Sequence, residues 1–243
     1  MDLWTLLGLA AAAGTAGAVN AIAGGGTLIS FPALLVAGYS SKVANVTSTV
    51  AIWPGTIGGS IGYRRELLER RHRVLLLGVP GLAGAAVGSV LLLSTSQRTF
   101  DAVVPFLILF ASGLLAANGW LSGLATRHGL GARTADHIPP GLLVATFFSG
   151  VYGGYFGAGV GILMLAFIAI LAPDDMQHAN AVKGMLGLLM NFVALMVFAA
   201  FGPVQWLPAL VMATCAVAGG YGGVAVARRL NARVLRTRSW SGG

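Results

Sequence analysis

Nine apolar segments, separated by short polar or glycine-rich breaks, run along the chain: about 3 to 23, 27 to 38, 43 to 63, 74 to 94, 100 to 121, 139 to 157, 160 to 172, 179 to 201 and 206 to 227. Two are too short to cross a bilayer as helices. At 1.5 Å per residue, segments 27 to 38 and 160 to 172 reach about 18 to 20 Å, against a hydrocarbon core of about 30 Å. Each follows a glycine cluster. Each therefore either crosses as an extended stretch plus a half-helix, or enters and turns back.

Composition turns this pattern into a class. Charged residues make up 9% of the chain, against roughly one quarter in a soluble domain, while 56% are hydrophobic and 36 are glycine. An ordinary water-soluble enzyme is excluded, and so is a disordered chain, which needs low hydrophobicity and high charge. The expected fold is all-α: a polytopic helical membrane protein, one transmembrane domain over 1–243, with no room for a sizeable soluble domain. The single Cys215 can form no internal disulfide and reads as a small core residue. Met1-Asp2-Leu3-Trp4 lacks the basic n-region of a signal peptide, so the first apolar stretch is expected to be a membrane helix.

The net charge of +8 would suggest nucleic acid in a soluble protein, but the basic residues sit beside apolar spans. The positive-inside rule accounts for them without a nucleic-acid partner. Five arginines lie in 64–73, Arg127 and Arg133 in a second loop, and Arg228, Arg229, Arg233, Arg236 and Arg238 after the last span. If all nine segments cross, these twelve fall on one side, leaving Lys42 and Arg98 opposite. If the short segments only re-enter, the arginine-rich end lands outside. Nine crossings are therefore expected, with the N-terminus outside and the C-terminus cytoplasmic.

A shift of 135 residues aligns the two ends of the chain, carrying Gly24 to Gly159, Gly26 to Gly161, Ala44-Asn45 to Ala179-Asn180, and Gly84 and Gly88 to Gly219 and Gly223. Each half reads long span, glycine cluster, short span, Ala-Asn, long span, then a span with Gly-x-x-x-Gly. This divides the domain into a first repeat at about 3–94, a linking helix at about 100–121, a second repeat at about 139–227 and a basic cytoplasmic tail, 228–243. The linking helix makes the crossings between halves odd, so the second repeat is expected to be inverted. Inverted repeats with broken helices meeting near the midplane are the organisation of many secondary transporters.

The glycine clusters 24–26 and 157–161 are the most informative local feature. Glycine lets the chain leave a helix and approach a ligand. A half-helix starting afterwards presents free N–H groups and the positive end of its dipole. Gly24, Gly25, Gly26, Gly159 and Gly161 are thus candidates for an anion site, with close helix packing as the structural alternative. Thr47 and Ser48 follow Asn45 in the first half; Asn180 and Lys183 stand in the matching stretch of the second, where Lys183 aligns with Ser48. A lysine within a membrane span faces a cavity or a partner, unless it snorkels to the interface. Asn191, eight residues on, lies about 80° around the helix and can border the same cavity. Asn20 and its counterpart Tyr155 precede the two breaks and could donate hydrogen bonds to an oxyanion.

Other features read structurally. His178 stands at a loop-to-helix junction as a solvated or capping residue, with a proton-coupling role as the alternative. Asp174-Asp175 suggests a helix cap before a metal site. The Gly-x-x-x-Gly pairs are helix contact faces. Trp4, Trp120, Trp206, Tyr39 and Tyr63 lie near span ends, as an interfacial aromatic belt requires. No zincin, nucleophile-elbow or Walker motif occurs, so no enzyme, metal site or cofactor is expected.

Taken together, Asn20-Ala-Ile-Ala-Gly-Gly-Gly-Thr-Leu-Ile-Ser-Phe-Pro32, Ala44-Asn-Val-Thr-Ser48 and Gly150-Val-Tyr-Gly-Gly-Tyr-Phe-Gly-Ala-Gly-Val-Gly161 resemble the TauE/SafE family of membrane permeases across nearly the whole chain. Asn180-Ala-Val-Lys-Gly184, Asn191 and Gly202-Pro-Val-Gln-Trp206 are similar to one branch of it. The resemblance implies export of small sulfur-containing anions, such as sulfite or organosulfonates like sulfoacetate, from the bacterial cytoplasm. The chain departs from internal symmetry at Phe167, which matches Pro32, and at Lys183, which matches Ser48.

The leading expectation is a secondary transporter working by alternating access around a midplane site. Its partners are a small anionic substrate, the lipid bilayer and a coupling ion, proton or sodium; a homo-oligomer is compatible with the sequence. The alternatives are a passive anion channel and a non-transporting membrane assembly protein.

Overall fold

In the computed structural model, which describes residues 2–22, 24–62, 64–129, 138–172 and 176–240, every regular element is a helix. The first half contains α1 (Leu3–Ile22), α2 (Thr27–Val36), α3 (Ser41–Gly62), α4 (Arg64–Glu69) and α5 (Arg71–Ser94). Then come α6 (Gln97–Gly129), α7 (Pro140–Tyr155), α8 (Val160–Leu171), α9 (Met176–Phe201) and α10 (Trp206–Trp240). Leu3–Ala21, Arg71–Ser94, Gln97–Ala117 and Gln177–Phe201 are each long and apolar enough to cross a membrane. The two short segments are α2, of 10 residues, and α8, of 12. As helices they span about 15 and 18 Å, half a hydrocarbon core.

All nine apolar segments are helical, and two basic stretches are helical as well. The arginine-rich loop is α4 followed by the start of α5 at Arg71, because Arg, Glu and Leu are good helix formers. The basic tail is not separate: α10 continues through its first part to Trp240, since no Gly or Pro after Gly223 stops the helix before Trp240. Asp174, Asp175 and Arg133 lie outside the described residues, as does Tyr63.

The surface is apolar and polar groups are inside. Large side chains such as Leu75, Val79, Phe106, Leu109, Phe148 and Leu210 are exposed, while Ser30, Asn45, Thr47, Ser48, Ser89, Thr146 and Ser149 are buried. That reverses the arrangement of a water-soluble protein and fits lipid as the solvent. Ser89, Thr146 and Ser149 satisfy themselves by donating to the carbonyls of Ala85, Leu142 and Ala145 on their own helices.

A shift of 135 residues superposes α1 on α7, α2 on α8, α3 on α9, and α5 on the first part of α10. Under this shift the two most extensive pairings, α1 with α10 and α5 with α7, exchange places. So do α3 with α10 and α5 with α9. Glycine makes these contacts possible. A Cβ at Gly84 would stand 2.1 Å from the Phe147 carbonyl oxygen, and one at Gly219 would stand 1.9 Å from that of Gly14. Gly88 and Gly223 are similarly pressed against Val151 and Ala18, so both Gly-x-x-x-Gly pairs are helix contacts as expected.

The order of contacts sets directions. Gly14 meets Cys215 and Ala18 meets Gly223, so α1 and α10 run parallel; Gly84 and Gly88 meet Phe147 and Val151, so α5 and α7 do too. Val46 touches Gly202 while Trp53 bonds Leu188, so α3 and α9 are antiparallel. Lys42, at the start of α3, donates to the carbonyls of Leu93 and Thr95 at the end of α5, 2.7 and 2.8 Å away. Arg73, at the start of α5, donates to the carbonyl of Ala172 just after α8, at 2.6 Å. The end of α2 thus lies at one end of α5, and the end of α8 at the other. The two short helices lead away from the interior toward opposite ends of the bundle.

Candidate functional site

Where the two breaks meet, the helices leave a cavity of about 210 Å³ between the halves. That far exceeds the roughly 10–15 Å³ needed to hold one water. Its wall comes from equivalent pieces of each half. The first half contributes Asn20, Gly24 and Thr27 at its break; the second contributes Gly157, Val160 and Gly161. Two facing stripes complete it: Thr49, Ile52, Trp53 and Thr56 on α3, and Asn180, Lys183, Gly184, Gly187, Leu188 and Asn191 on α9. Each stripe repeats at helical spacing.

The breaks have a backbone cause. Gly24 and Gly159, the pair equated by the repeat, have φ of 82° and 77°, in the left-handed region where a side chain is strained. Gly157, also at φ 82°, gives the second break a second left-handed glycine. Each break stops one helix and starts the next. The first-turn N–H groups of Thr27, Val160 and Gly161 have no backbone acceptor among the described residues, and all three residues line the cavity.

Among the described residues that line the cavity, Lys183 carries the only full charge and none is a carboxylate. Its ammonium has no hydrogen-bond or ion-pair partner among the described residues. Asn180 likewise makes no hydrogen bond there, whereas the Asn191 amide donates to the Gly187 carbonyl at 2.8 Å. Thr49 and Thr56 donate back to the carbonyls of Asn45 and Trp53 on their own helix. The donors left free among the described residues are therefore the Lys183 ammonium, the Asn180 and Asn20 amides, the Thr27 hydroxyl and the first-turn N–H groups, a set suited to an anion.

Of the residues singled out from sequence, the structure brings Asn20, Gly24, Gly161, Asn180, Lys183 and Asn191 to this cavity. It places Gly25, Gly26, Thr47, Ser48, Tyr155 and Gly159 off its wall. Gly26 makes the tight turn: its N–H donates to Asn20 Oδ1 at 3.3 Å, and a Cβ there would meet the Ala16 carbonyl at 2.4 Å. Gly25 packs on Leu115. Thr47 accepts from the Gln205 N–H, and Ser48 pairs with Ser30, Oγ to Oγ 2.6 Å. The Tyr155 hydroxyl donates to Thr95, and Gly159 abuts α6 at Ala111 and Leu114. His178 Nε2 lies 2.9 Å from Glu69 Oε2 at the arginine-rich end of the bundle.

Thr27, Thr49, Trp53 and Thr56 were not legible by residue type, yet the repeat points to three of them. Shifting Gly184, Leu188 and Asn191 back by 135 gives Thr49, Trp53 and Thr56.

A lipid-facing apolar shell, a polar interior and a cationic cavity between two broken helices define a polytopic helical membrane protein with an internal solute-sized site. The family model for the Sulfite exporter TauE/SafE matches residues 9–238, and the chain belongs to that family. It is similar to a "Probable membrane transporter protein" of Haemophilus influenzae, 28% identical over 83% of this chain and 76% of the relative. It is also similar to "Probable membrane transporter protein ORF9" of Sinorhizobium sp, 26% identical over 93% and 84% of the two chains. "Probable membrane transporter protein YfcA" of Escherichia coli K12 is 26% identical over 81% of this chain and 71% of its own. No solved structure matches. The protein is a membrane transporter.

Proposed function

We propose that the protein is a secondary transporter that exports a small sulfur-containing anion, sulfite or an organosulfonate such as sulfoacetate, by alternating access around the cavity between the two breaks. The observation that carries this reading is Lys183: among the described residues its ammonium has no partner and the cavity no carboxylate, and it lines the same cavity as the starts of α2 and α8. A desolvated cation flanked by free N–H groups favours an oxyanion over a cation or a neutral solute. The name of the matching family, Sulfite exporter TauE/SafE, supports sulfur oxyanions as cargo. The exchanging helix pairs and the opposed directions of α2 and α8 support two inverted halves moving about a central site.

Uptake of labelled sulfite and sulfoacetate into inverted membrane vesicles tests this. The wild-type chain should concentrate one of them, and Lys183→Ala should reduce that uptake to the background of vesicles lacking the protein. Absence of uptake of every sulfur oxyanion offered by wild-type vesicles would remove the cargo assignment.

A further inference from the structure

The repeat pairs Asn45 with Asn180, and Tyr155 with Asn20. In the first pair the contact is made: Asn45 Nδ2 donates to the Tyr155 main-chain carbonyl, 3.0 Å away, across the boundary between the halves. This bond covers a carbonyl at the end of α7, where the helix breaks and no later turn covers it. In the second pair the equivalent contact is absent. Asn180 and Asn20 both line the cavity, Asn180 makes no hydrogen bond among the described residues, and the Asn20 carbonyl accepts from Gly24 at 3.0 Å. One site is therefore shut and its counterpart open.

The shut side is sealed by more than one contact. Phe31 and Phe156 stack edge to face across it, ring centroids 5.6 Å apart, and Thr47 holds the Gln205 N–H. Their counterparts cannot seal in the same way, since Phe31 and Phe156 correspond to Ala166 and Ala21, and Ala21 lies on the cavity wall. The asparagine pair is thus the hydrogen-bonding element that both halves share. Asn45 is fully buried, and its Oδ1 has no hydrogen-bond partner among the described residues. A buried acceptor without a partner raises the energy of the state that contains it.

We propose that Asn45 and Asn180 are alternating latches: Asn45 holds the Tyr155 carbonyl in this state, and Asn180 takes the Asn20 carbonyl in the opposite state, while Asn45 lets go. The proposal rests on the alternating-access reading and is independent of the cargo.

Its test uses a thiol probe on the shut side, Val46→Cys, in a Cys215→Ser background, because Val46 is fully buried beside Asn45 against Gly202. Labelling by a membrane-impermeant maleimide is followed in vesicles of both orientations without substrate. Loss of one hydrogen bond shifts a two-state ratio about fivefold. Asn45→Ala should speed labelling from the shut side about fivefold. Asn180→Ala, which removes the latch of the other state, should slow it about fivefold. General loosening would speed both, and that result, or no change in either, overturns the proposal. If Asn45→Ala fails to fold, Asn180→Ala decides alone, because its side chain lies on the open wall: slower labelling supports the latch and unchanged or faster labelling contradicts it. Sulfite uptake in the same vesicles reports on the cargo separately.

Discussion

The Trp53 indole N–H donates to the main-chain carbonyl of Leu188, 3.0 Å away, and these two residues are 135 apart in the chain, the offset of the internal repeat. The bond ties α3 to α9 where they cross, and both residues line the cavity. The Trp53 ring also packs on Phe192, centroids 5.2 Å apart.

Trp53→Phe keeps the ring and removes the bond between the halves. Thermal unfolding in detergent should register a loss of about 0.5–1.5 kcal/mol, the net worth of a hydrogen bond. Transport should fall in addition, because the crossing defines the cavity wall. Unaltered stability and transport would show that the Trp53–Leu188 contact is incidental.

Two kinds of glycine should behave oppositely. Gly84→Ala drives a methyl group into the Phe147 carbonyl and should cost about 1–3 kcal/mol or more, read as a lower melting temperature. At Gly161 and Gly187 nothing lies within 4 Å of an added Cβ, so alanine there should leave melting unchanged or raised. Because that methyl enters the cavity, transport should nevertheless drop.

The two membrane-proximal lysines are separable. Lys42 caps the end of α5 through the Leu93 and Thr95 carbonyls, with Ser41, Gln97 and Asp101 bonded beside it. Lys42→Met should therefore lower stability by about 1–2 kcal/mol while leaving the substrate KM in place. Lys183→Met should do the reverse, sparing stability and abolishing transport.

At the arginine-rich end, the His178 to Glu69 contact is half exposed on the carboxylate side, at 52%. Glu69→Gln should change stability by less than about 1 kcal/mol, as exposed ion pairs do. A larger loss, measured by chemical or thermal melting, would assign this pair a structural role beyond its charge.

The helices were legible because lipid demands long apolar runs, and the breaks because left-handed backbone at Gly24 and Gly159 demands glycine. Lys183 and Asn180 were legible because polar groups in such runs need a reason. Thr47 and Ser48 are equally polar, yet on α3 they face Gln205 and Ser30, not the stripe that begins at Thr49. Residue type cannot separate a polar group bonded to a neighbouring element from one turned to a cavity. Only the helical register, anchored here by Trp53, does that. The helical continuation of α10 through the arginines was hidden because charge argued topology there, while helix propensity decided conformation.

The most direct test is a thermal-shift titration of the purified protein with sulfite, sulfoacetate, sulfate and chloride, repeated on Lys183→Ala. A ligand held only by the folded protein stabilises it by about 2.7 kcal/mol at a hundred times its Kd. A sulfur oxyanion should raise the melting temperature of the wild-type chain in a saturable way and leave that of Lys183→Ala unmoved. An equal rise in both proteins would contradict a site centred on Lys183.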